Sequence, residues 1–398
     1  MHHIFVVGTA DTKGEELAFL AGLLRDSGMT VTLADVGTRT ATVATEISAR
    51  QIAACHPLGA DRILAIKDRG RAVALMGEAF ARFIAKRSDI DGIIGIGGGG
   101  GTSIVCEGLR TIPYGVPKIM VSTLASGDTA PYVGISDIVM MPSVTDMAGL
   151  NRLSRVILHN AAQALAGMVA HPAPAQTGKP AVGLTMFGVT TPCVMAIAEG
   201  LRGDHDCMVF HATGTGGRTM EKLIDSGLLT GVIDITTTEV CDLLLGGVLP
   251  ASDDRFGAIA RTGMPWVGSV GALDMVNFWA PDTVPKQFGD RKFYHHNPNV
   301  TLMRTLPAEC DRIGRWIGER LNAGDGPIRL LLPEKGISAL DIEGGVFHDP
   351  EADAALFAAL EQTLRQSSHR RILRLDAHIN DPAFARAAIA AFHDIQPE

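Results

Sequence analysis

The segment Asp91–Glu107, DGIIGIGGGGGTSIVCE, constrains the fold of this chain most strongly. An apolar run, Ile93–Ile96, is followed by five consecutive glycines, Gly97–Gly101, and then by Thr102 and Ser103 in a segment compatible with a helix. This order predicts a strand, a glycine loop and a helix N-terminus. Backbone N–H groups without side chains at the positive end of a helix suit a phosphate. A tight turn with positive φ would need only one or two glycines, so five favour an anion site.

The same segment contains the spacing GxGxxG, at Gly95, Gly97 and Gly100. A dinucleotide fingerprint also requires an acidic residue about 20 residues further on. That region reads PKIMVSTLASG here and has no carboxylate before Asp128. The motif also follows at least two earlier strand candidates. The segment therefore predicts a site for the phosphate of a nucleotide or phosphorylated metabolite, and not a standard NAD site.

Length and composition indicate a two-domain globular protein. A chain of 398 residues with 46% apolar residues exceeds one typical core. The 45 glycines, against only 5% aromatic residues, agree with many tight turns between strands and helices. A net charge of −8 argues against binding to nucleic acid or to an anionic membrane surface.

The expected location is the cytoplasm. The start, MHHIFVVGTAD, enters a strand pattern directly and has no signal-peptide character. No apolar run reaches the roughly 18 residues of a membrane helix. The six cysteines form no CxxC pair, which favours reduced, buried thiols.

Strand and helix patterns alternate along the chain, which predicts an α/β fold with mostly parallel sheets flanked by helices. The Pro/Gly-containing segment Ala170–Pro180 reads as a linker between residues 1–172, a nucleotide-binding subdomain, and residues 180–398, a C-terminal subdomain. Both halves begin with a strand, a polar Gly/Thr turn, a helix, a strand and a second such turn, which indicates two similar domains. The predicted strands are Ile4–Val7, Val31–Val36, Ile93–Ile96, Val116–Val121, Ile138–Met141, Ala181–Met186, Met208–His211, Gly231–Ile235, Trp266–Val270, Thr301–Met303, Ile328–Leu332 and Ile372–Leu375.

Polar loops follow four predicted strands of the first half. Because ligands of parallel α/β sheets lie outside the carboxyl ends of the strands, these loops are predicted to form one site. They supply backbone donors, hydroxyls, a lysine and carboxylates able to hold Mg²⁺ through water. The predicted nucleotide-binding residues are Gly8, Thr9, Asp11, Thr12, Lys13, Asp35, Gly37, Thr38, Gly97, Gly98, Gly99, Gly100, Gly101, Thr102, Ser122, Ser126, Gly127 and Asp128.

A second anion site is predicted in the other half. A Gly-rich turn precedes an amphipathic helix, and an arginine there would add its planar fork to the free N–H groups. Glu239 follows a later strand, and HHNPNVTLMRT, residues 295–305, reads as a polar loop in which His295 or His296 would serve as an acid or base. The predicted residues of the second anion site are His211, Gly214, Gly216, Gly217, Arg218 and Glu239.

Six motifs resemble one known family along essentially the whole chain: GTADTKGEE, GIGGGGGTS, STLASGDTAPYVG, MFGVTTP, FHATGTGGRTMEKLI and HNPNVTLMRT. They look like those of the Tm-1-like ATP-binding domain family, also known as UPF0261. The resemblance implies two Rossmann-like subdomains, ATP binding as in the plant resistance members, and a homodimer.

The main functional prediction is a nucleotide-binding protein that takes ATP with Mg²⁺. One alternative is a metabolic enzyme acting on a small phosphorylated or carboxylated substrate between the two domains, with Arg218, Glu239 and His296 as candidates. Another is a binding or regulatory module without catalysis. The sequence identifies neither catalytic residues nor metal ligands.

Overall fold

A computed structural model describes residues 2–173 and 178–396. The chain divides into two compact units, Met1–Ala175 and Gln176–Glu398. The centre of the predicted linker, residues 174–177, lies outside the described residues. In the described part of the chain, no helix combines the length and apolar character needed to cross a bilayer.

The first unit is a doubly wound sheet. Its strands are all parallel and follow the order β2-β1-β3-β4-β5, so the direction of winding reverses between β1 and β3. The five strands agree with those predicted. The elements are β1 (His3–Gly8), α1 (Gly14–Asp26), β2 (Thr30–Asp35), α2 (Ala49–Ala53), α3 (Ala60–Leu64), α4 (Arg69–Ile84), β3 (Gly92–Gly97), α5 (Gly99–Leu109), β4 (Lys118–Ser122), α6 (Ala130–Val133), β5 (Val139–Pro142) and α7 (Arg152–Ala170).

Helices cover both faces of this sheet because successive strand side chains point to opposite sides. Ile4 and Val6 of β1 belong to a core cluster that includes side chains of α1 and α7. Phe5 and Val7 belong to another cluster, which includes side chains of α4 and α5. The strands are thus buried on both faces, and their carboxyl ends remain as the edge where loops can form a site.

The second unit repeats this arrangement and extends it. Its six-stranded parallel sheet has the order β14-β13-β9-β8-β6-β7, so its first five parallel strands follow the order of the first unit and β14 is added at one edge. The two similar α/β domains and the Rossmann-like fold are confirmed. The elements are β6 (Ala181–Met186), α8 (Thr191–Leu201), β7 (Asp206–His211), α9 (Thr215–Asp225), β8 (Gly231–Thr236), α10 (Glu239–Leu245), α11 (Gly257–Thr262), β9 (Trp266–Gly271), β10 (Met275–Phe278), β11 (Phe293–Asn297), β12 (Val300–Arg304), α12 (Pro307–Leu321), β13 (Ile328–Pro333), α13 (Pro350–Thr363), β14 (Arg370–Leu375) and α14 (Pro382–Ile395).

One predicted strand lies in a different sheet. Thr301–Met303 was assigned to the parallel sheet, but β12 is the centre of a separate antiparallel sheet, β10-β12-β11. The reason is the two-residue connection from β11 to β12, since a parallel pair needs a crossover of a dozen or more residues. The predicted polar loop at residues 295–305 is therefore largely a hairpin, and Thr301, Arg304 and Thr305 are buried.

Candidate functional site

A cavity of about 360 Å³ lies at the carboxyl edge of the first sheet. It is formed by the loops after β1, β2 and β3, next to the point where the winding direction reverses. Of the predicted nucleotide-binding residues, those that line it are Thr9, Asp11, Thr12, Lys13, Thr38, Gly98, Gly99, Gly100 and Gly101. The residues that the sequence did not indicate are Arg39, Arg69, Val73, Ile104 and Asp146.

Helix α5 begins inside the glycine run. Gly98 is its N-cap, and Thr102 N–H makes the first bond within the helix, to the Gly98 carbonyl at 2.8 Å. The first four N–H groups of an α-helix have no partner within it, and here these belong to Gly98, Gly99, Gly100 and Gly101. The positive end of the helix dipole is therefore presented to the cavity by four residues without side chains.

The fold itself does not require glycine at these four positions. None of them has a positive φ, and a Cβ built at Gly98, Gly99, Gly100 or Gly101 would meet its nearest neighbour at 3.8, 3.7, 3.5 or 3.7 Å, which is ordinary contact. Glycine within a helix costs about 1 kcal/mol relative to alanine. Gly97 differs, because its Cβ would lie only 2.8 Å from Thr102 N. The other four glycines therefore leave room for something outside the chain.

Two guanidinium groups border the glycine turn. The Nη2 of Arg69 lies 3.9 Å from the position of a Cβ at Gly100, and Arg39 lines the same cavity. Both residues are exposed, and neither side chain has a hydrogen bond or ion pair with any residue in the described ranges 2–173 and 178–396. The Nζ of Lys13 donates to the Met147 carbonyl. The two arginines are thus the available cations.

The carboxylate in the loop after β1, Asp11, and the carboxylate at the end of β2, Asp35, differ in role. Asp35 is buried and accepts hydrogen bonds from Ala10 N–H and Gly37 N–H at 2.9 and 2.7 Å, while burial raises its pKa. Asp11 Oδ2 accepts from Arg39 N–H at 3.1 Å. Its Oδ1 is buried and has no partner among the described residues. Asp35 therefore holds the two loops together, and Asp11 Oδ1 is left without a hydrogen-bond partner among the described residues.

The carboxylates of Asp35 and Asp11 leave no space for a side chain at Gly37. A Cβ there would lie 2.9 Å from Asp35 Oδ1 and 3.0 Å from Asp11 Cγ. Gly8 also serves packing, because its Cβ would lie 3.0 Å from the Ile96 carbonyl. No group of three or more His, Cys, Asp or Glu side chains is placed to hold a metal in the described part of the molecule.

The remaining predicted residues of the first half lie outside the cavity. Thr102 and Ser122 are buried and share a hydrogen bond of 2.7 Å. Ser126 lines a neighbouring pocket, which shares Asp146 with the cavity. Gly127 and Asp128 are exposed, and Asp128 accepts from Ala130 N–H at 3.0 Å. Thr102 and Ser122 thus support the loops from within, and Asp128 does so at the surface.

In the second unit, the predicted anion turn is occupied by the chain's own carboxylate. Gly214 N–H donates to Glu239 Oε2 at 2.7 Å, and a Cβ at Gly217 would overlap Glu239 Oε1. A Cβ at Gly216 would overlap the His211 carbonyl. The glycines at 214–217 are therefore explained by internal packing, in contrast to those at 98–101.

Arg255, and not Arg218, neutralises this carboxylate. Arg255 is buried and donates to Glu239 Oε1 at 2.7 Å and to both oxygens of Asp234 at 2.9 and 2.8 Å. Glu221 lies 3.6 Å from the same guanidinium, and burial raises its pKa to about 7. Arg218 is exposed and donates to the Gly214 carbonyl at 3.2 Å. Arg218 and Glu239 thus both contact Gly214, but in the described part of the chain they share no hydrogen bond or ion pair.

The sequence signal that could have indicated a buried arginine is the presence of three acidic residues, Glu221, Asp234 and Glu239, close to buried strands. An ionised carboxylate inside a core needs a partner of opposite charge.

His211 and His296 both line a separate pocket of the second unit. Arg218, Glu239 and His296 share no hydrogen bond or ion pair in the structure's described part.

The sequence matches two domains described together as an uncharacterised protein family, UPF0261. Residues 2–174 match the N-terminal domain and residues 179–396 match the C-terminal domain. The chain belongs to the UPF0261 family. A UPF0261 protein of Mesorhizobium japonicum is 70% identical over 395 residues, which cover 99% of each chain. A UPF0261 protein of Clostridium tetani is 46% identical over 390 residues, covering 96% of each.

The sequence similarity also extends to a plant protein. The ToMV resistance protein Tm-1(GCR237) of Solanum lycopersicum is 42% identical over 421 residues, which cover 99% of this chain and 56% of the plant protein. The resemblance to the Tm-1-like family, first indicated by the six motifs, is thereby confirmed.

Proposed function

We propose that the first unit binds ATP, with its phosphates at the N-terminus of α5. The observation that carries this proposal is the set of four glycines, Gly98–Gly101, that neither positive φ nor crowding accounts for. A phosphate oxygen accepts hydrogen bonds from the backbone N–H groups of such a turn, and side chains there would obstruct its approach.

The charges around the cavity support a polyphosphate. Arg39 and Arg69 line it, and within the described ranges both guanidiniums lack a partner. A planar guanidinium can donate two parallel hydrogen bonds to a phosphate. Two arginines and a helix N-terminus suit a chain of phosphates better than a single carboxylate.

Mg²⁺ would accompany the nucleotide near Asp11. Magnesium in nucleotide sites is held by one or two carboxylates, several waters and the phosphates themselves. Asp11 Oδ1 lacks a partner in the described part, and Asp146 is the other carboxylate of the cavity. Val73 and Ile104 supply an apolar wall against which a base would pack.

Calorimetry with ATP and Mg²⁺ tests this function. ATP is expected to bind saturably, and adenosine without phosphates is expected to bind far more weakly. Arg69→Gln removes a charge-assisted bond worth about 1.5–3 kcal/mol, so it should weaken ATP binding at least about tenfold.

Arg71→Gln is the matched control, because Arg71 is an exposed arginine of α4 outside the cavity lining. Equal ATP affinity in the Arg69 and Arg71 variants, or no ATP binding by the wild type, would contradict the proposal. The alternative of an enzyme acting between the units stays a prediction.

A further inference from the structure

The second unit contains a different kind of pocket, with a volume of about 260 Å³. Its floor lies where β6 and β7 end, at Phe187 and His211, and its opposite wall comes from the antiparallel sheet, with Phe278, His296 and Leu302. All of its lining residues belong to this unit. It was not indicated by the sequence, which placed His211 in an anion site and His296 in a polar loop.

The pocket occupies a position where parallel sheets bind ligands. In the strand order β14-β13-β9-β8-β6-β7, the winding direction reverses between β6 and β8, and ligands lie beyond the strand ends at such a point. The other side of this crevice is filled, because Thr237, Thr238 and Glu239, which follow β8, are buried. The space that remains open lies over β6 and β7.

The chemistry of the lining excludes a strongly charged ligand. The pocket is lined mainly by apolar and aromatic side chains, and none of the described residues that line it is Lys, Arg, Asp or Glu. A phosphate or carboxylate would lose its hydration there without gaining a permanent opposite charge. His211 and His296 are its titratable groups, and desolvation lowers the pKa of His211, which favours the neutral imidazole.

The polar groups that line the pocket favour a ligand that can form hydrogen bonds. The two imidazoles each donate or accept according to tautomer. Asn277 also lines the pocket. Its Nδ2 donates to Asp242 Oδ1 at 3.2 Å, while its Oδ1 is buried and accepts no hydrogen bond from the described residues. A hydroxyl or N–H on the ligand would meet these groups.

Size and shape indicate an aromatic ring system. An apolar cavity of about 150 Å³ is known to hold benzene, so about 260 Å³ accommodates a substituted ring or two fused rings. Phe187, Phe278 and Trp279 offer aromatic faces for stacking. Trp279 remains 49% exposed beside the opening, although it is a large apolar side chain.

We infer that the second unit binds a small, uncharged aromatic molecule bearing a hydroxyl or N–H group in the pocket over β6 and β7. This site is separate from the ATP site of the first unit and does not depend on it. The second unit therefore binds an aromatic ring and its hydroxyl or N–H group, whereas the first unit offers hydrogen-bond donors to phosphates.

The test uses 2-naphthol as the probe and ligand-observed NMR titration of the full chain. Gly188 lines the pocket, and a Cβ there would meet no atom within 4 Å, so Gly188→Leu fills space without disturbing the fold. Gly203→Leu is the matched control, because Gly203 has equally free surroundings and lies outside the lining.

Wild type and Gly203→Leu should bind 2-naphthol saturably with equal affinity, and Gly188→Leu should bind at least about tenfold more weakly. Naphthalene-2-sulfonate, which has the same rings and a charge, should bind more weakly than 2-naphthol. Absence of saturable binding, or equal affinity in Gly188→Leu, would overturn the inference. If circular dichroism shows that Gly188→Leu is unfolded, Trp279→Ala replaces it, and unchanged 2-naphthol affinity there would overturn the inference equally.

Discussion

Replacing Gly99 and Gly100 together with alanine separates the ligand explanation of the glycine run from a structural one. Both positions lie in the first turn of α5, where a Cβ would meet its nearest neighbours, Leu124 Cδ1 and Val73 Cγ2, at 3.7 and 3.5 Å. Alanine therefore fits the folded protein. In a helix the Cα–Cβ bond tilts toward the N-terminus, so both methyl groups would project toward the proposed phosphate position.

Stability and affinity should change in opposite directions in this variant. Each Gly→Ala change at a compatible position stabilises by about 0.4–1 kcal/mol, mainly by restricting the unfolded chain. The pair should add about 1–2 kcal/mol, which for a unit of this size raises Tm by roughly 2–8 °C. ATP binding should weaken at least about tenfold, because the methyl groups displace phosphate oxygens from their N–H donors.

Thermal unfolding and calorimetry with ATP and Mg²⁺ measure the two effects separately. Gly22→Ala is the control, because Gly22 lies in the interior of α1 and its Cβ would meet no atom within 4 Å. It should gain stability and keep wild-type ATP affinity. A double variant that is less stable than wild type would mean that the glycines serve the fold. One that is more stable but binds ATP as wild type does would refute the phosphate position.

Four further outcomes are expected. Gly37→Ala should lower the free energy of unfolding by about 1–3 kcal/mol in urea titrations, because its Cβ would lie 2.9 Å from Asp35 Oδ1; a neutral effect would contradict this packing. Arg255→Leu should destabilise the protein by about 3–5 kcal/mol, because it leaves buried carboxylates unpaired. Arg261→Leu breaks only exposed ion pairs, with Asp225 and Asp254, and should cost under about 1 kcal/mol. Similar losses in the two variants would contradict the argument that burial sets the cost. The pKa of Glu221 is raised from 4.5 to about 7 in the folded protein, so between these values the folded state binds more protons than the unfolded state, and the free energy of unfolding falls as pH rises. Relative to Glu221→Gln, wild type should lose up to about 3 kcal/mol of unfolding free energy between pH 4.5 and 7. Parallel pH profiles of the two proteins would contradict this. Sedimentation equilibrium should give twice the chain mass if the chain forms the homodimer that the family resemblance implies, and a monomer at all concentrations would contradict it.

The sequence predicted the parallel sheets well because buried strands bounded by polar Gly/Thr turns leave a strong local pattern. Ile93–Ile96 before Gly97–Gly101 indicated both a strand and the helix start that follows. The sequence pattern predicts a loop at β11, because HHNPN is polar, and it places β12 in the parallel sheet, because the partner strand β10 has no distinctive pattern. Pairing between distant segments is set by tertiary packing, which local patterns do not contain.

The candidate site was predicted in part for a similar reason. Loops at strand ends could be placed at one edge by the topology of parallel sheets, so Asp11 and the glycine run were found. Arg39 and Arg69 were missed because an exposed arginine in a loop or at a helix start has no local signature. Arg218 was predicted to bind an anion because it follows glycines, and Arg255 was missed. Only the structure reveals that the carboxylate of Glu239 already fills that turn.

The amide resonances of Gly98–Gly101 test the central claim most directly. Selective ¹⁵N-glycine labelling of the full chain reports its 45 glycines, and single Gly→Ala variants assign the four resonances of the turn. On titration with ATP and Mg²⁺, these four amides should shift downfield as phosphate oxygens accept their hydrogen bonds, while Gly214, Gly216 and Gly217 stay unchanged. Saturating ATP that leaves the Gly98–Gly101 resonances in place would contradict a phosphate site at the N-terminus of α5.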